Sequence, residues 1–421
     1  MKNRTRFIKL KLPPRLFYLF ANYSAYGLNF LSGLILARNL GAEQRGVLTY
    51  ITSFYLLTLL IVPLNSRNGS TLASIKNFDT TSTGKPFPFK KIYVRVFVVA
   101  IVITVIFDFL LWHTTEKNYL IFFTISNLAC SLCFYQYFVE GIFRVEENTL
   151  DLAVLRFLGL AIPSFYVLLL FAFDKIEVEF VLLSQFLAVT SCTVFLIRRK
   201  RVKVNFSYDE FSEQVQRTFI GFALEYLANI IILLSITLTA NIRTIGYFAI
   251  ALSFVLISET FYPLIESRML NKINASISNT ESVNLSPLFD AIKELIASQS
   301  IFLPLAFMIP VVYGDEYSQS VYFALVLIFV KCNYSIVKLY NHYAVISDRF
   351  RYPIMVNMVY LLVYVVSFCV LQQLNSSNSW QIASIISSLL VLFIGSFSMR
   401  SLRPKQVSIT KPREILHNEV F

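Results

Sequence analysis

The sequence predicts an all-α integral membrane protein with about 12 transmembrane helices, since about 20 apolar residues are needed to cross the hydrocarbon of a bilayer. Apolar residues make up 56% of the 421 residues and charged residues only 15%, whereas soluble domains carry about 25% charged residues. Long runs such as 94–112 do not alternate polar and apolar side chains, as the strands of a membrane barrel would. Helices therefore remain as the spanning structure that satisfies the backbone inside lipid.

Apolar segments of spanning length recur along the whole chain. The ninth segment is interrupted by Pro304 and Pro310, and prolines inside a spanning helix kink it. The predicted spans are 16–38, 47–66, 92–112, 119–143, 152–173, 178–197, 218–240, 244–267, 291–313, 319–344, 352–373 and 379–399.

Basic residues orient these spans. They concentrate in the N-terminal arm 1–15, the loop 67–91, the linker 198–217 and the tail 400–421, all of which fall on one side if the spans alternate in direction. The positive-inside rule places that side in the cytoplasm, so both termini are expected there. The net charge of +12 is then an orientation signal, and we expect no nucleic-acid partner.

A weak internal repeat divides the chain into two halves. Shifting the sequence by 200 residues aligns nine identical positions between 20–65 and 220–265, among them Gly46 with Gly246. In this alignment the first two predicted spans correspond to the seventh and eighth. We therefore predict parallel six-helix halves at 16–197 and 218–399, with a substrate path between them.

Span 10 carries polar residues on one face. Lys331, Tyr334, Lys338 and Asn341 follow one another at helical spacing, and charges inside a span usually face a cavity or a partner. We favour a cationic cavity wall because this face holds no acid, and a structural ion pair is the alternative. Further candidates for the cavity are Arg95 and Arg156, which could instead extend to the cytoplasmic surface, and the amides Asn29 and Asn229.

Carboxylates inside spans suggest ion coupling. Glu225 and Glu259 lie deep in their spans, where burial favours the protonated form, so they are candidates for binding a coupling proton or cation; ion pairing is the alternative. Glu140 is expected to pair with Arg144 one turn later. HExxH, P-loop and nucleophile-elbow motifs are absent from the sequence, and we expect neither a catalytic site nor a metal or organic cofactor.

Two short motifs carry a family resemblance. The segment Ala37-Arg38-Asn39-Leu40-Gly41 followed by Gly46, and the Glu140-Gly141-Ile142-Phe143-Arg144 stretch, resemble motifs of bacterial polysaccharide (O-antigen, Wzx-type) flippases. A glutamate at position 140 replaces the glutamine usual in that family. Both glycines also have a structural interpretation, because Gly41 suits a helix C-terminus and Gly46 suits close packing.

The resemblance implies the fold of the multidrug/oligosaccharidyl-lipid/polysaccharide (MOP) exporter superfamily, which includes the MATE transporters. It further implies a flippase in the bacterial inner membrane that moves an undecaprenyl-pyrophosphate-linked oligosaccharide to the outer leaflet, alongside the polymerase and chain-length regulator of the pathway. Lys331 and Lys338 would then bind the pyrophosphate, assisted by Arg95 and Arg156. A polysaccharide polymerase or ligase and a cation-coupled small-solute exporter are the competing functions.

Overall fold

A computed structural model gives the fold of most of the chain, and its described residues in regular structure are helical throughout. Val204 and isolated residues within 261–272 are also described. The continuous described segments are 14–63, 65–76, 87–112, 117–145, 149–199, 206–259, 285–346, 351–374 and 378–401. The basic arm and tail predicted at 1–15 and 400–421 therefore lie almost wholly outside the described residues.

The helices occupy the predicted spans, but the seventh begins at Tyr208 rather than at 218, so the second half of the linker predicted at 198–217 is helical. They are α1 (Pro14–Ile61), α2 (Ser66–Lys76), α3 (Phe89–Trp112), α4 (Lys117–Val145), α5 (Thr149–Ala172), α6 (Val178–Arg199), α7 (Tyr208–Thr239), α8 (Ile242–Glu259), α9 (Ser286–Leu305), α10 (Ile309–Tyr313), α11 (Ser318–Ile346), α12 (Arg351–Gln373) and α13 (Ser379–Ser401). Ten stretches among the described residues are long and apolar enough to cross a membrane. The two arms of α1, not counted in those ten, lie at the first two predicted spans.

Glycine and proline break the helices where the sequence predicts interruptions. Gly41 divides α1 into two arms with φ 68° and ψ 175°, a conformation that glycine adopts readily because it has no Cβ. In the ninth span, α9 ends at Leu305 and a 3₁₀ turn over Ala306–Met308 leads into α10. The flanking prolines explain this break, because proline donates no hydrogen bond to the preceding turn.

The inner loop predicted at 67–91 needs correction, because its first part forms α2. This helix packs against α4 and α7. The Ser66 hydroxyl donates to the Phe134 carbonyl at 3.2 Å, and the Thr71 hydroxyl donates to the Gly141 carbonyl at 3.2 Å. The sequence concealed α2 because it is short and polar, and tertiary contacts rather than hydropathy hold it in place.

The two halves repeat the same packing arrangement. In the N-terminal half α1 packs on α5, α4 on α6 and α5 on α6; in the C-terminal half α7 packs on α12, α11 on α13 and α12 on α13. The halves meet where α1 contacts α8 and where α2 contacts α7. Any site at this junction is therefore built chiefly by the first two helices of each half.

Candidate functional site

The central feature of the C-terminal half is an ion pair between α11 and α8. The Nζ atom of Lys331 lies 3.5 Å from Oε1 of Glu259, and the two side chains are 10% and 24% exposed. Glu259 is the last residue of α8. The ion-pair alternative left open by the sequence is thus present here, and it joins a predicted substrate residue to a predicted coupling residue.

Lys338 lies two turns further along α11 and has aromatic neighbours. Its Nζ atom is 5.2 Å from the ring centroid of Tyr334 and 5.9 Å from that of Tyr262, distances at which an ammonium is attracted to a ring face. Among the described residues, no carboxylate lies within salt-bridge distance of Lys338. Its electrostatic environment nevertheless includes Lys331 and the carboxylates of Glu225, Glu259 and Glu266.

Hydrogen bonds connect this group to α7 and α12. The Tyr334 hydroxyl is 3.4 Å from the main-chain carbonyl oxygen of Glu225 and 3.2 Å from Oδ1 of Asn357. Asn229 donates through its side-chain nitrogen to the same Glu225 carbonyl at 2.9 Å. We call Glu225, Glu259, Lys331, Tyr334 and Lys338 the central cluster, which gathers side chains from three helices.

The central cluster lies beside the junction of the halves. Tyr226, the neighbour of Glu225 in the sequence, donates its hydroxyl to the Leu56 carbonyl of α1 at 3.0 Å. Two of the helices that carry the cluster, α7 and α8, contact the N-terminal half. A displacement of one half against the other would therefore change the surroundings of the cluster.

A second charged group lies in the N-terminal half around Glu140. This buried carboxylate is 2.7 Å from Nη2 of Arg67 and 3.8 Å from Nη2 of Arg156. The Arg67 guanidinium also lies 4.3 Å above the ring of Tyr137. The expected partner Arg144 belongs to α4, but its side chain lies outside the described part. The sequence did not single out Arg67 or Tyr137, because their proximity to Glu140 and Arg156 arises from helix packing.

The remaining predicted cavity residues do not join these groups. Arg95 is exposed at the start of α3, and Asn29 is exposed on α1. Asn341 is buried on α11, with no hydrogen-bond partner for its Oδ1 atom. The substrate-binding roles assigned to Arg95, Asn29 and Asn341 stay predictions.

The family hairpin motif has a structural role at the opposite end of the junction. Arg38 donates from Nε to the Val312 carbonyl at 3.0 Å, and the Tyr317 hydroxyl donates to the Ala37 carbonyl at 3.0 Å. Gly41 makes the turn described above. Gly46 is buried where a Cβ would overlap the Ile242 carbonyl. Both structural interpretations of the glycines are therefore confirmed.

The solved structures named here share this fold, and they are a lipid flippase and two multidrug transporters. The lipid II flippase MurJ in its inward closed conformation is similar with a TM-score of 0.72 at 12% identity, over 91% of this chain and 87% of MurJ. An inward-facing multidrug resistance MATE family transporter of the MOP superfamily has a TM-score of 0.63 at 12% identity, over 92% and 98% of the two chains. The MATE multidrug transporter DinF-BH has a TM-score of 0.61 at 12% identity, over 96% of this chain and 99% of DinF-BH.

The chain has the MurJ and MATE fold. No protein-family model and no curated protein sequence matches it. At this level of identity the similarity establishes the architecture alone, because one fold can serve many substrates. It confirms the predicted all-helical membrane architecture, while a specific relation to O-antigen flippases stays a prediction.

Proposed function

We propose that the protein is a flippase that moves a lipid-linked oligosaccharide with an undecaprenyl-pyrophosphate headgroup across the bacterial inner membrane by alternating access. The observation that carries this proposal is the pair of lysines on one face of α11, held close to the junction of the halves. The fold of the chain, which is also that of the lipid II flippase MurJ, is consistent with this proposal. Sugars and a pyrophosphate need a polar route across hydrocarbon, and lysines can neutralise the phosphates.

The first chemical step of this mechanism is an exchange of partners at Lys331. Breaking a buried ion pair costs about 3–5 kcal/mol when one charge is left alone. An entering pyrophosphate avoids that cost because it supplies a new anion to Lys331 and Lys338 together. The Tyr334 and Tyr262 rings hold Lys338 in place while Lys331 changes partner.

The second step uses the released carboxylate. Once Lys331 turns to the phosphate, Glu259 loses its counter-ion, and Glu225 lies in the same cluster. A carboxylate in low dielectric without a cation favours its protonated or cation-bound form. Substrate entry thereby promotes uptake of a coupling proton or cation, and its release resets the Lys331–Glu259 pair.

A drug or small-solute exporter is the second candidate. The observation that favours it is the presence of three carboxylates around Lys338, an environment suited to cationic solutes, together with a fold shared with multidrug MATE transporters. A polymerase or ligase has weaker support, because the solved structures named above are transporters.

A clean deletion in the native host separates these functions. Loss of the flippase leaves repeat units inside, so the surface should carry neither polymer nor a single ligated unit, and wild-type protein but not Lys331→Ala should restore the polymer. A single repeat unit on the surface acceptor would identify a polymerase instead. An unchanged surface profile would favour the small-solute exporter and refute the proposed function.

A further inference from the structure

A basic cavity at the start of α3 is separate from the central cluster. Phe87, Phe89 and Val94 line it together with Lys90, Lys91 and Arg95, and its volume is about 640 Å³. The three basic residues and Val94 are exposed. The cavity therefore combines a cationic rim with an apolar floor on the surface of the N-terminal half.

The floor of this cavity is closely packed. The rings of Phe87 and Phe89 lie 4.7 Å apart, and both pack on Phe138 of α4 at centroid distances of 4.8 and 5.0 Å. Phe87 also contacts Phe206 and Phe211, which flank the start of α7. The aromatic floor is thus packed against α4 and the start of α7.

Within the part of the chain that the structure describes, the cationic rim has no carboxylate counter-ion. No carboxylate of the described residues forms a salt bridge with Lys90, Lys91 or Arg95. Lys91 and Arg95 are one turn apart and so share a face of α3. An arginine guanidinium can bind a phosphate through two parallel hydrogen bonds, while a lysine adds a point charge.

An apolar stripe continues from the rim along the exposed face of α3. Val94, Val98, Val102, Val105 and Phe109 are between 52% and 69% exposed. At a rise of about 1.5 Å per residue they extend for about 22 Å along the helix. This length exceeds the thickness of one leaflet, which is half of a hydrocarbon core about 30 Å thick. A ligand with a phosphate at one end and an acyl chain at the other fits both features.

We propose that this cavity binds the phosphate headgroup of an anionic phospholipid, whose acyl chain follows the apolar stripe of α3. The cavity lies at the end of the protein predicted to be cytoplasmic, where anionic headgroups attract clustered basic residues. The proposal does not depend on the transported substrate. It gives Arg95 a role at the lipid-facing surface rather than in the central cavity.

The test uses the purified full-length chain and a photoactivatable phosphatidylglycerol. Cross-linking followed by digestion should label the segment 87–98, and native mass spectrometry in equal phosphatidylglycerol and phosphatidylcholine should show retention of the anionic lipid. Lys91→Gln/Arg95→Gln should reduce that retention on the order of 30-fold, because each basic residue contributes roughly fivefold near an anionic surface.

The control removes two charges elsewhere at the same end. Arg268→Gln/Lys293→Gln should retain the lipid as the wild type does, and excess inorganic phosphate should not displace it. Val94→Trp, which fills the cavity without changing charge, provides a second route if the charge variant fails to fold, and it should also abolish labelling of 87–98. Equal loss in the control, unchanged labelling in Val94→Trp, or displacement by inorganic phosphate would each overturn the proposal.

Discussion

Gly46 and Gly246 lie against each other where the second arm of α1 crosses α8. A Cβ on Gly46 would overlap the Ile242 carbonyl and lie 3.1 Å from the amide nitrogen of Gly246. A Cβ on Gly246 would overlap the Ala42 carbonyl. Ala42 and Ile242 are separated by the same 200 positions as the two glycines, so the contact is reciprocal between the two halves. The repeat detected in the sequence therefore meets itself at the junction.

Substitution of either glycine should open this end of the junction. In Gly46→Ala and Gly246→Ala the added methyl group meets backbone, which cannot move aside as a side chain can. We therefore expect the packing of α1 against α8 to lose about 1–3 kcal/mol of stability. The measurement is thiol labelling of Ala37→Cys, a fully buried position near the crossing, in each glycine background. Labelling should accelerate at least several-fold.

Gly33→Ala is the matched control for this prediction. It lies on the first arm of α1, and a Cβ there would meet no heavy atom within 4 Å. Labelling of Ala37→Cys in this background should equal that of the parent. If Ala37→Cys is labelled as slowly in the Gly46→Ala and Gly246→Ala backgrounds as in the parent, the crossing tolerates a methyl group.

The Lys331–Glu259 pair permits a double-mutant test of its role. Lys331→Met leaves a largely buried carboxylate without its cation, so it should destabilise the protein by about 3–5 kcal/mol. Adding Glu259→Gln should restore most of that loss, because no uncompensated charge remains. Thermal unfolding of Lys331→Met, Glu259→Gln and the double variant in detergent measures the coupling.

Transport should behave differently from stability in the same variants. If Lys331 binds the pyrophosphate, the double variant will be stable but inactive in a complementation assay for surface polysaccharide. Recovery of transport together with stability would assign the pair a purely structural role. This separates the two interpretations that the sequence left open.

Tyr334 should stabilise the cluster through its hydroxyl. Tyr334→Phe keeps the ring near Lys338 but removes the hydrogen bonds to the Glu225 carbonyl and Asn357, so we expect a loss of about 1–3 kcal/mol. Unfolding by heat in detergent provides the measurement. Tyr322→Phe is a suitable control, since that tyrosine is 49% exposed; an equal loss in both variants would contradict the assignment.

The two arginines at Glu140 should contribute unequally. Arg67 is 2.7 Å from the carboxylate and stacks on Tyr137, whereas Arg156 is 3.8 Å away. Arg67→Ala should therefore lower the unfolding temperature more than Arg156→Ala does, because a shorter contact and a ring interaction are both lost. The opposite order would show that the longer contact dominates.

Local features of the sequence determined the helical architecture. Hydropathy placed the twelfth span at 379–399, and α13 occupies Ser379–Ser401; backbone chemistry alone explains the turn at Gly41 and the break between Pro304 and Pro310. These features were predictable because a membrane helix depends on its own length, apolarity and hydrogen bonding. The repeat also predicted which glycines are equivalent, although not that they touch.

Tertiary structure decided the partners of the charged residues. The periodicity of span 10 placed Lys331 and Lys338 on one face, but the carboxylate beside Lys331 comes from the end of α8, and Arg67 reaches Glu140 from α2. Such pairs join residues 72 or more positions apart, and helix packing alone brings them within a few ångströms. A single helix face therefore reveals where a charge sits but not what neutralises it, because Coulombic partners are set by distance in space rather than by spacing in the chain.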